Sequence, residues 1–214
     1  MTTADEDQRE QSHPARYPDV RDPAAGYGIP MTPELRRHRW TADDVLRMVE
    51  TGLLSEDAPL ELIDGELIVV SPQGPRHRMS TVRVHRRLEA AFGPGFWVQD
   101  HSPVQAGIDS LPEPDVAVVR GPEQFDRHPT SAEVVLVVEL AQSSQSEDRA
   151  KAAVYAAGGF ETYWLLDLVA RRLTVFADPH PEDREYGRVT LVREGESVAV
   201  GATAVALSEL LPPA

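Results

Sequence analysis

Three side chains in this sequence have the types and positions to do chemistry together: Asp115, Glu139 and Lys151. Glu139 follows an apolar run at 134–138 that does not alternate with polar residues, as expected of a strand buried on both faces. Burying an ionised carboxylate is costly unless a positive group holds it, so Glu139 requires a partner, and a cation is one candidate. Asp115 precedes a second apolar run at 116–119. The pattern therefore puts two acids at the ends of buried strands, with a lysine close behind.

The elements that must position these residues follow from the surrounding pattern. Positions 133–167 are typical of a strand, a loop, a helix and a second strand, and the helix carries Lys151 and, one turn later, Tyr155. Pro114 cannot donate a hydrogen bond to a sheet ladder, so it belongs at the start of a strand and puts Asp115 at the first position. Tyr155 is expected in the core or beside the site.

Two of these residues also have a plain structural interpretation. An Asp at the start of a strand commonly satisfies nearby backbone groups, which would account for Asp115. Lys151 can pair with Glu147 one helical turn earlier, an interaction worth only about 0.2–0.5 kcal/mol. From the residues alone, this pairing is the simpler interpretation of Lys151.

A series of short pieces, taken in order and spacing, resembles the Uma2-like (DUF820) branch of the PD-(D/E)xK nuclease superfamily. The pieces are LELIDGELIVVSP, PRH, EPDVAVV, VVLVVELAQSS, DRAKAAVY and GGFETYWLLD. The resemblance implies an α/β (α+β) fold with a restriction-endonuclease-like core. That core has a mixed central sheet flanked by helices, with an N-terminal hairpin and C-terminal strands.

The resemblance also implies a metal-dependent endonuclease that hydrolyses phosphodiester bonds in DNA, with Asp115, Glu139 and Lys151 as catalytic residues. Mg²⁺, or alternatively Mn²⁺, would be held by the two acids, with Glu66 as a third and the carbonyl of Leu140 as a further oxygen ligand. Mg²⁺ takes oxygen ligands and keeps several waters, so one or two carboxylates suffice. Glu66 opens the second strand of the hairpin and is otherwise a solvated strand residue.

One position departs from the simple superfamily spacing, which would put a lysine two residues after Glu139, where this sequence has Ala141. The Uma2-like resemblance implies that Lys151 reaches in from the helix instead. The departure leaves open a catalytically silent relative that acts as a nucleic-acid-binding or regulatory module. A purely structural or dimerisation domain is a third alternative.

A predicted helix at 76–92 is strongly basic, and Arg76, Arg83 and Arg87 share one face of it. This face is a candidate phosphate-contacting surface; the alternative is a solvated face paired with acids elsewhere. His77 lies on the neighbouring core-facing stripe. It is either a satisfied structural histidine or, as the resemblance suggests, a residue that supports the site or contacts phosphate.

Composition limits the function classes. The net charge of −14 counts against DNA binding by bulk electrostatics but allows a local basic surface. The absence of cysteine excludes disulfides and thiolate zinc sites. No apolar run approaches the length of a membrane span, and the first residues lack a secretory pattern, so the expected location is cytoplasmic, without a membrane partner.

We expect a disordered tail at 1–30 and a single Uma2-like nuclease-fold domain at 31–214. Within the domain, two strands are predicted at 95–99 and 102–108. A homodimer would suit a nuclease that cuts both strands.

Overall fold

The protein is described by a computed structural model that covers residues 37–142 and 145–213, without the side chains of 145–149. The predicted tail at 1–30 lies outside the described residues. In chain order, the elements are α1 (Ala42–Glu50), β1 (Leu60–Ile63), β2 (Glu66–Val69), α2 (Pro75–Phe92), β3 (Phe96–Asp100), β4 (Val116–Arg120), β5 (Val134–Ala141), α3 (Gln145–Ala157), β6 (Thr162–Asp167), β7 (Arg172–His180), β8 (Glu185–Arg193), β9 (Ser197–Val200), β10 (Thr203–Ala206) and α4 (Leu207–Leu210).

A six-stranded sheet in the order β3-β4-β5-β6-β7-β8 forms the centre of the fold. Only β5 and β6 are parallel among its neighbouring strands, and α3 is the crossover between them. The antiparallel register of β4 and β5 pairs Val116 with Val138. Asp115 and Glu139 therefore follow side by side at the end of that ladder. The mixed sheet flanked by helices confirms the expected α+β architecture.

Both faces of the sheet are covered, which explains the unbroken apolar runs of the two central strands. One face packs against α2, the β9–β10 hairpin and α4, and its largest buried side chains include Leu88, Trp164 and Leu207. The other face packs against α3 and is rich in aromatic rings, including Tyr155 and Tyr163. Interior positions of β4 and β5 are buried on both sides, and the two acids Asp115 and Glu139 lie just beyond the last pair of the β4–β5 ladder.

The hairpin of β1 and β2 turns through Asp64 and Gly65, with φ values of 48° and 74°. Two consecutive residues at positive φ are the requirement of a type I′ turn, and Asp-Gly is one of the residue pairs that this turn favours. A Cβ atom on Gly65 would lie 2.8 Å from Cβ of Arg39. The backbone of Leu62 accepts a hydrogen bond of 2.8 Å from the amide of Leu111, which fixes the hairpin against the loop before β4.

The expected strand at 102–108 is wrong, whereas β3 agrees with the other expected strand apart from its ends. The segment forms only isolated hydrogen bonds. The amide of Val104 donates to the carbonyl of Pro112, and the amide of Gln105 donates to the carbonyl of Pro129. Pro103 and Gly107, with φ of 83°, interrupt any ladder. None of the helices in the described part of the chain combines the length and apolar composition that a membrane crossing requires.

Replacing Gly65 with Ala is expected to destabilise the protein more than replacing Gly52 with Ala. Both glycines have positive φ, at 74° and 72°, but a Cβ at Gly52 meets no atom within 4 Å. Gly52→Ala should therefore lower the free energy of unfolding by about 1–2 kcal/mol, the cost of the left-handed conformation alone. Urea unfolding of both variants measures the difference, and equal losses would show that Arg39 moves aside freely.

Candidate active site

Lys151 lies between two buried carboxylates. Its Nζ donates to Oε1 of Glu139 at 3.0 Å and to Oε1 of Glu61 at 3.1 Å. The hydroxyl of Tyr155, one turn further along α3, donates to the same Oε1 of Glu139 at 2.8 Å. The helix lysine thus reaches the end of β5, and the first strand of the hairpin supplies its second partner.

Lys151 is also the only lysine in the chain; the other twenty basic Lys or Arg residues are all arginines. Positive charge at the surface of this protein is supplied by arginine side chains. The ammonium of the single lysine is instead mostly buried, between Glu61 and Glu139. Such placement distinguishes Lys151 from a solvated helix residue. The alternative partner, Glu147, lies among the side chains outside the described ones.

Asp115 is held across the β4–β5 ladder by two donors. Its side chain is buried, and Oδ2 accepts a hydrogen bond of 2.7 Å from the amide of Leu140, while Oδ1 accepts one of 2.7 Å from Nε2 of Gln73. His101 contributes a ring nitrogen 3.5 Å from Oδ1, and its backbone has a positive φ of 43°. Asp115 therefore satisfies a backbone group, as its structural interpretation expected, and also lies within the same cluster as Glu139.

His77 connects the first turn of α2 to this cluster. Its Nε2 is 2.8 Å from the carbonyl oxygen of Leu140 and 3.2 Å from Oδ2 of Asp115. The carbonyl oxygen of Leu140 and Oδ2 of Asp115 therefore both lie close to Nε2 of His77. Burial lowers the pKa of His77, but the hydrogen bond and charge of Asp115, the carbonyl of Leu140 and the charge of Glu139 together outweigh it and raise the pKa above its ordinary value. Its Nδ1 is buried and has no hydrogen-bond partner among the described residues.

The pKa values of the central pair shift because the two groups are buried together. Burial raises the pKa of Glu139; the Lys151 ammonium opposes this shift, and the carboxylates of Asp115 and Glu61 add to it. Burial would lower the pKa of Lys151, but the attraction of Glu139 and Glu61 dominates and raises it. The lysine therefore remains an ammonium, while the carboxyl group of Glu139 retains its proton more readily than an isolated one.

A further acid, Glu113, lies half-buried near this cluster. Burial raises its pKa, with an additional contribution from the charge of Glu61, and Lys151 opposes the shift. One lysine thus faces several carboxylates within a small volume. Such a local excess of negative charge is suited to cation binding.

Glu61, Gln73 and His101 are the site residues that sequence reasoning missed. Glu61 is only 6% exposed, although it is an acid on a short strand, and the sequence signal was its position between Leu60 and Leu62 in an apolar run. The structure does not bring Glu66 to the cluster. Glu66 is exposed beside the turn, whereas Glu61, two cross-strand pairs further from the turn, is the hairpin acid that reaches Lys151.

The basic face of α2 is divided between two surroundings. Arg83 donates from Nε to the carbonyl of Glu209 at 2.7 Å, and Arg87 pairs with the carboxylate of the same residue at 3.3 Å. These two arginines therefore pair with α4, as the alternative interpretation expected. Arg76 lines an open groove of about 610 Å³ with Gly74 and Arg171, next to the turn that carries His77. It also lines a second groove of about 730 Å³ together with Arg83 and Arg87.

The donor atoms of the cluster fit a hard divalent cation by type. Asp115, Glu139 and the carbonyl of Leu140 supply only oxygen, which Mg²⁺ prefers, and one oxygen of Glu61 is buried without a partner among the described residues. Among the described side chains, at 37–142 and 150–213, no three His, Asp or Glu residues form a ready metal-binding group. The Lys151 ammonium lies between Glu61 and Glu139.

Comparisons with known proteins identify the family and the fold of the chain. The family model Uma2, described as "Putative restriction endonuclease", matches residues 42–210. The chain is also similar to a solved structure described as "a putative nuclease belonging to DUF820 from Anabaena variabilis ATCC 29413". The TM-score is 0.60 at 17% sequence identity, and the match covers 79% of this chain and 96% of that one. A search of curated proteins gave no match. The resemblance and the restriction-endonuclease-like fold expected from the sequence are confirmed.

Replacing Glu61 with Gln is expected to lower the pKa of Lys151, because one of its two carboxylate partners loses its charge. The chain has one lysine, so a sample labelled with ¹³C at the lysine Cε gives a single signal. Its chemical shift reports the titration of the Lys151 amine. Glu66→Gln, on the same hairpin, is the matched control and should leave the titration unchanged. Identical titration curves in both variants would show that Glu61 does not hold the ammonium.

Proposed function

Because the chain belongs to the Uma2 family, described as "Putative restriction endonuclease", we propose that it is a metal-dependent endonuclease that hydrolyses phosphodiester bonds in DNA. The observation that carries the proposal is the position of the single lysine, within 3.0 Å of Glu139 and beside the ladder end that carries Asp115. Asp115, Glu139 and Lys151 lie close together although they come from the start of β4, from β5 and from α3. A cytoplasmic location belongs to the same proposal, since DNA and Mg²⁺ are both present there.

Asp115, Glu139 and the carbonyl of Leu140 would hold the Mg²⁺ or Mn²⁺ ion in this proposal. When bound, such an ion neutralises developing phosphate charge and lowers the pKa of a coordinated water. The amide of Leu140 and the side chain of Gln73 fix the carboxylate of Asp115 through its two oxygens. The chain therefore supplies oriented carboxylates before any ligand arrives.

Lys151 would stabilise the negative charge that builds on the scissile phosphate. Its ammonium is kept charged by Glu139 and Glu61, and its direction is fixed by hydrogen bonds to both. A fixed positive charge in a partly water-excluded site stabilises a transition state more than a mobile one, because no reorganisation is needed. Tyr155 orients Glu139 by donating to the oxygen that also faces the lysine.

DNA would approach through the groove that Arg76 lines. Arg83 and Arg87 are engaged with α4, which leaves Arg76 as the phosphate-contacting candidate of the three arginines that share this face of α2. The overall charge of −14 opposes polyanion binding, so local positive groups and the proposed cation must overcome it. Binding is therefore expected to weaken steeply with added salt.

A second candidate function is a nuclease-fold module that binds nucleic acid or regulates without cleaving it. The absence of a ready three-acid metal group among the described residues favours this alternative, as does the overall acidity. The two functions differ in metal binding and in chemistry. Both can be measured on the same preparation.

Substituting Asp115 with Asn, or Lys151 with Met, is expected to reduce Mg²⁺-dependent nicking of supercoiled plasmid at least about 100-fold, the usual effect of removing a charge-stabilising or acid–base group. Lys151→Arg should retain part of the activity because it keeps the positive charge. Glu66→Gln is the control for a surface acid and should cleave at the wild-type rate. Cleavage that survives both Asp115→Asn and Lys151→Met would contradict the assignment.

Calorimetric titration with Mg²⁺ or Mn²⁺ is expected to show binding that Glu139→Gln abolishes and Glu66→Gln preserves. The reason is that Glu139 is a proposed ligand, whereas Glu66 is exposed beside the hairpin turn. Wild-type protein that binds neither ion at millimolar concentration would favour the non-cleaving module.

A further inference from the structure

The groove of about 730 Å³ beside α2, called the α2 groove below, concentrates positive charge in an acidic chain. Its lining residues on the helix run from Pro75 to Arg87, a length of about 18 Å at the rise of an α-helix, and Pro212 and Pro213 complete the lining. Four arginines contribute to it, and no acid is among the described residues that line it: Arg76, Arg83, Arg86 and Arg87. The net charge of the whole chain is −14, so this concentration is local.

Most of this positive charge is not neutralised by the protein. Arg76 and Arg86 are exposed, and neither side chain has an ion pair or hydrogen bond with another described residue. Arg83 donates to the backbone carbonyls of Ser208 and Glu209, which hold its guanidinium in place without cancelling the charge. Arg87 alone of the four faces a described carboxylate, that of Glu209 at 3.3 Å, and both side chains of that pair are partly exposed. The α2 groove therefore presents an excess of positive charge.

The spacing of these arginines suits a row of phosphates better than a single small anion. From Arg76 to Arg87 the helix advances by about 16 Å, whereas each nucleotide of one DNA strand advances by about 3.4 Å, so the arginines span about five nucleotides. A guanidinium group presents paired donors that match the oxygens of a phosphate. A compact anion would reach only part of this row.

The α2 groove is also connected to the candidate active site. Arg76 lines both this groove and the groove that it forms with Gly74 and Arg171 beside the turn that carries His77. His77 in turn contacts Asp115. A polynucleotide that reaches the catalytic cluster past Arg76 can therefore continue along α2 without leaving positively charged surface.

We infer that the α2 groove binds the phosphate backbone of duplex DNA next to the segment that enters the catalytic cluster, over about five nucleotides. The inference rests on the proposed nuclease function and adds to it the position of the flanking DNA. Arg86, together with Arg76, supplies unpaired charge, while Arg83 and Arg87 are held in position by α4. Because phosphate contacts carry no sequence information, this groove contributes affinity and orientation rather than sequence preference.

Fluorescence anisotropy of a labelled duplex of about 20 base pairs, with EDTA present to prevent cleavage, tests the groove. Arg86→Gln should raise the Kd about three- to ten-fold at about 50 mM salt, and should reduce the slope of log affinity against log salt by about 0.9, the value for one phosphate contact. Arg78→Gln is the matched control: Arg78 is an exposed arginine of the same helix that does not line the groove. This control makes the same charge change and should leave Kd and slope unchanged.

Several outcomes would overturn the inference. They are a wild-type protein that binds no duplex at about 50 mM salt, equal losses of affinity in Arg78→Gln and Arg86→Gln, and competition by polyglutamate as effective as that by duplex at equal charge. The first excludes the site, the second reduces it to overall charge, and the third makes it a general polyanion surface. Circular dichroism should match wild type in both variants, because both arginines are exposed.

Plasmid nicking by the same variants separates this inference from the nuclease assignment. Arg86→Gln should lower kcat/KM in proportion to its loss of affinity while Arg78→Gln leaves it unchanged. Wild-type nicking that is unaffected by Arg86→Gln, with an unchanged Kd, contradicts the α2 groove and leaves the endonuclease in place. Duplex binding that depends on Arg86 in a protein that never nicks DNA supports the groove and contradicts the endonuclease.

Discussion

One buried ammonium facing two carboxylates is the interaction on which the site depends. Lys151 bridges Glu61 and Glu139, and so connects the hairpin, the end of β5 and helix α3 through a single group. Taking these charges out of water is costly, and only their mutual attraction and the hydrogen bond from Tyr155 offset that cost. Removing the ammonium would leave both carboxylates buried without a compensating charge.

The covered sheet determines where such a cluster can form. The interior of β4 and β5 is buried on both faces, so a charged side chain there needs a partner of opposite charge, as Glu139 has in Lys151. Asp115 and Glu139 meet at the ladder end, where the register of the antiparallel pair brings them together and helices α2 and α3 deliver His77 and Lys151 from opposite faces of the sheet. The same packing that stabilises the core therefore concentrates the polar groups at one place.

Features encoded locally could be predicted from the sequence, and features that depend on distant partners could not. The Asp64-Gly65 turn and the buried runs before Glu139 and after Asp115 follow from neighbouring residues. The role of Glu61 could not be read in this way, because its partner Lys151 is 90 residues away and its apolar neighbours indicate burial but not the partner. Arg83 was likewise ambiguous, since the carbonyl that it binds belongs to a helix 126 residues later.

The separation of Glu61 from Lys151 along the sequence has a consequence for folding during synthesis on the ribosome. A nascent chain that has emerged only as far as β5 already contains Asp115, Glu139 and Glu61, but it lacks the ammonium that compensates their charge. Repulsion among these acids opposes their convergence until α3 follows and docks. Translation products that stop before α3 therefore do not carry the assembled cluster, although strands β1 to β5 are already present in them.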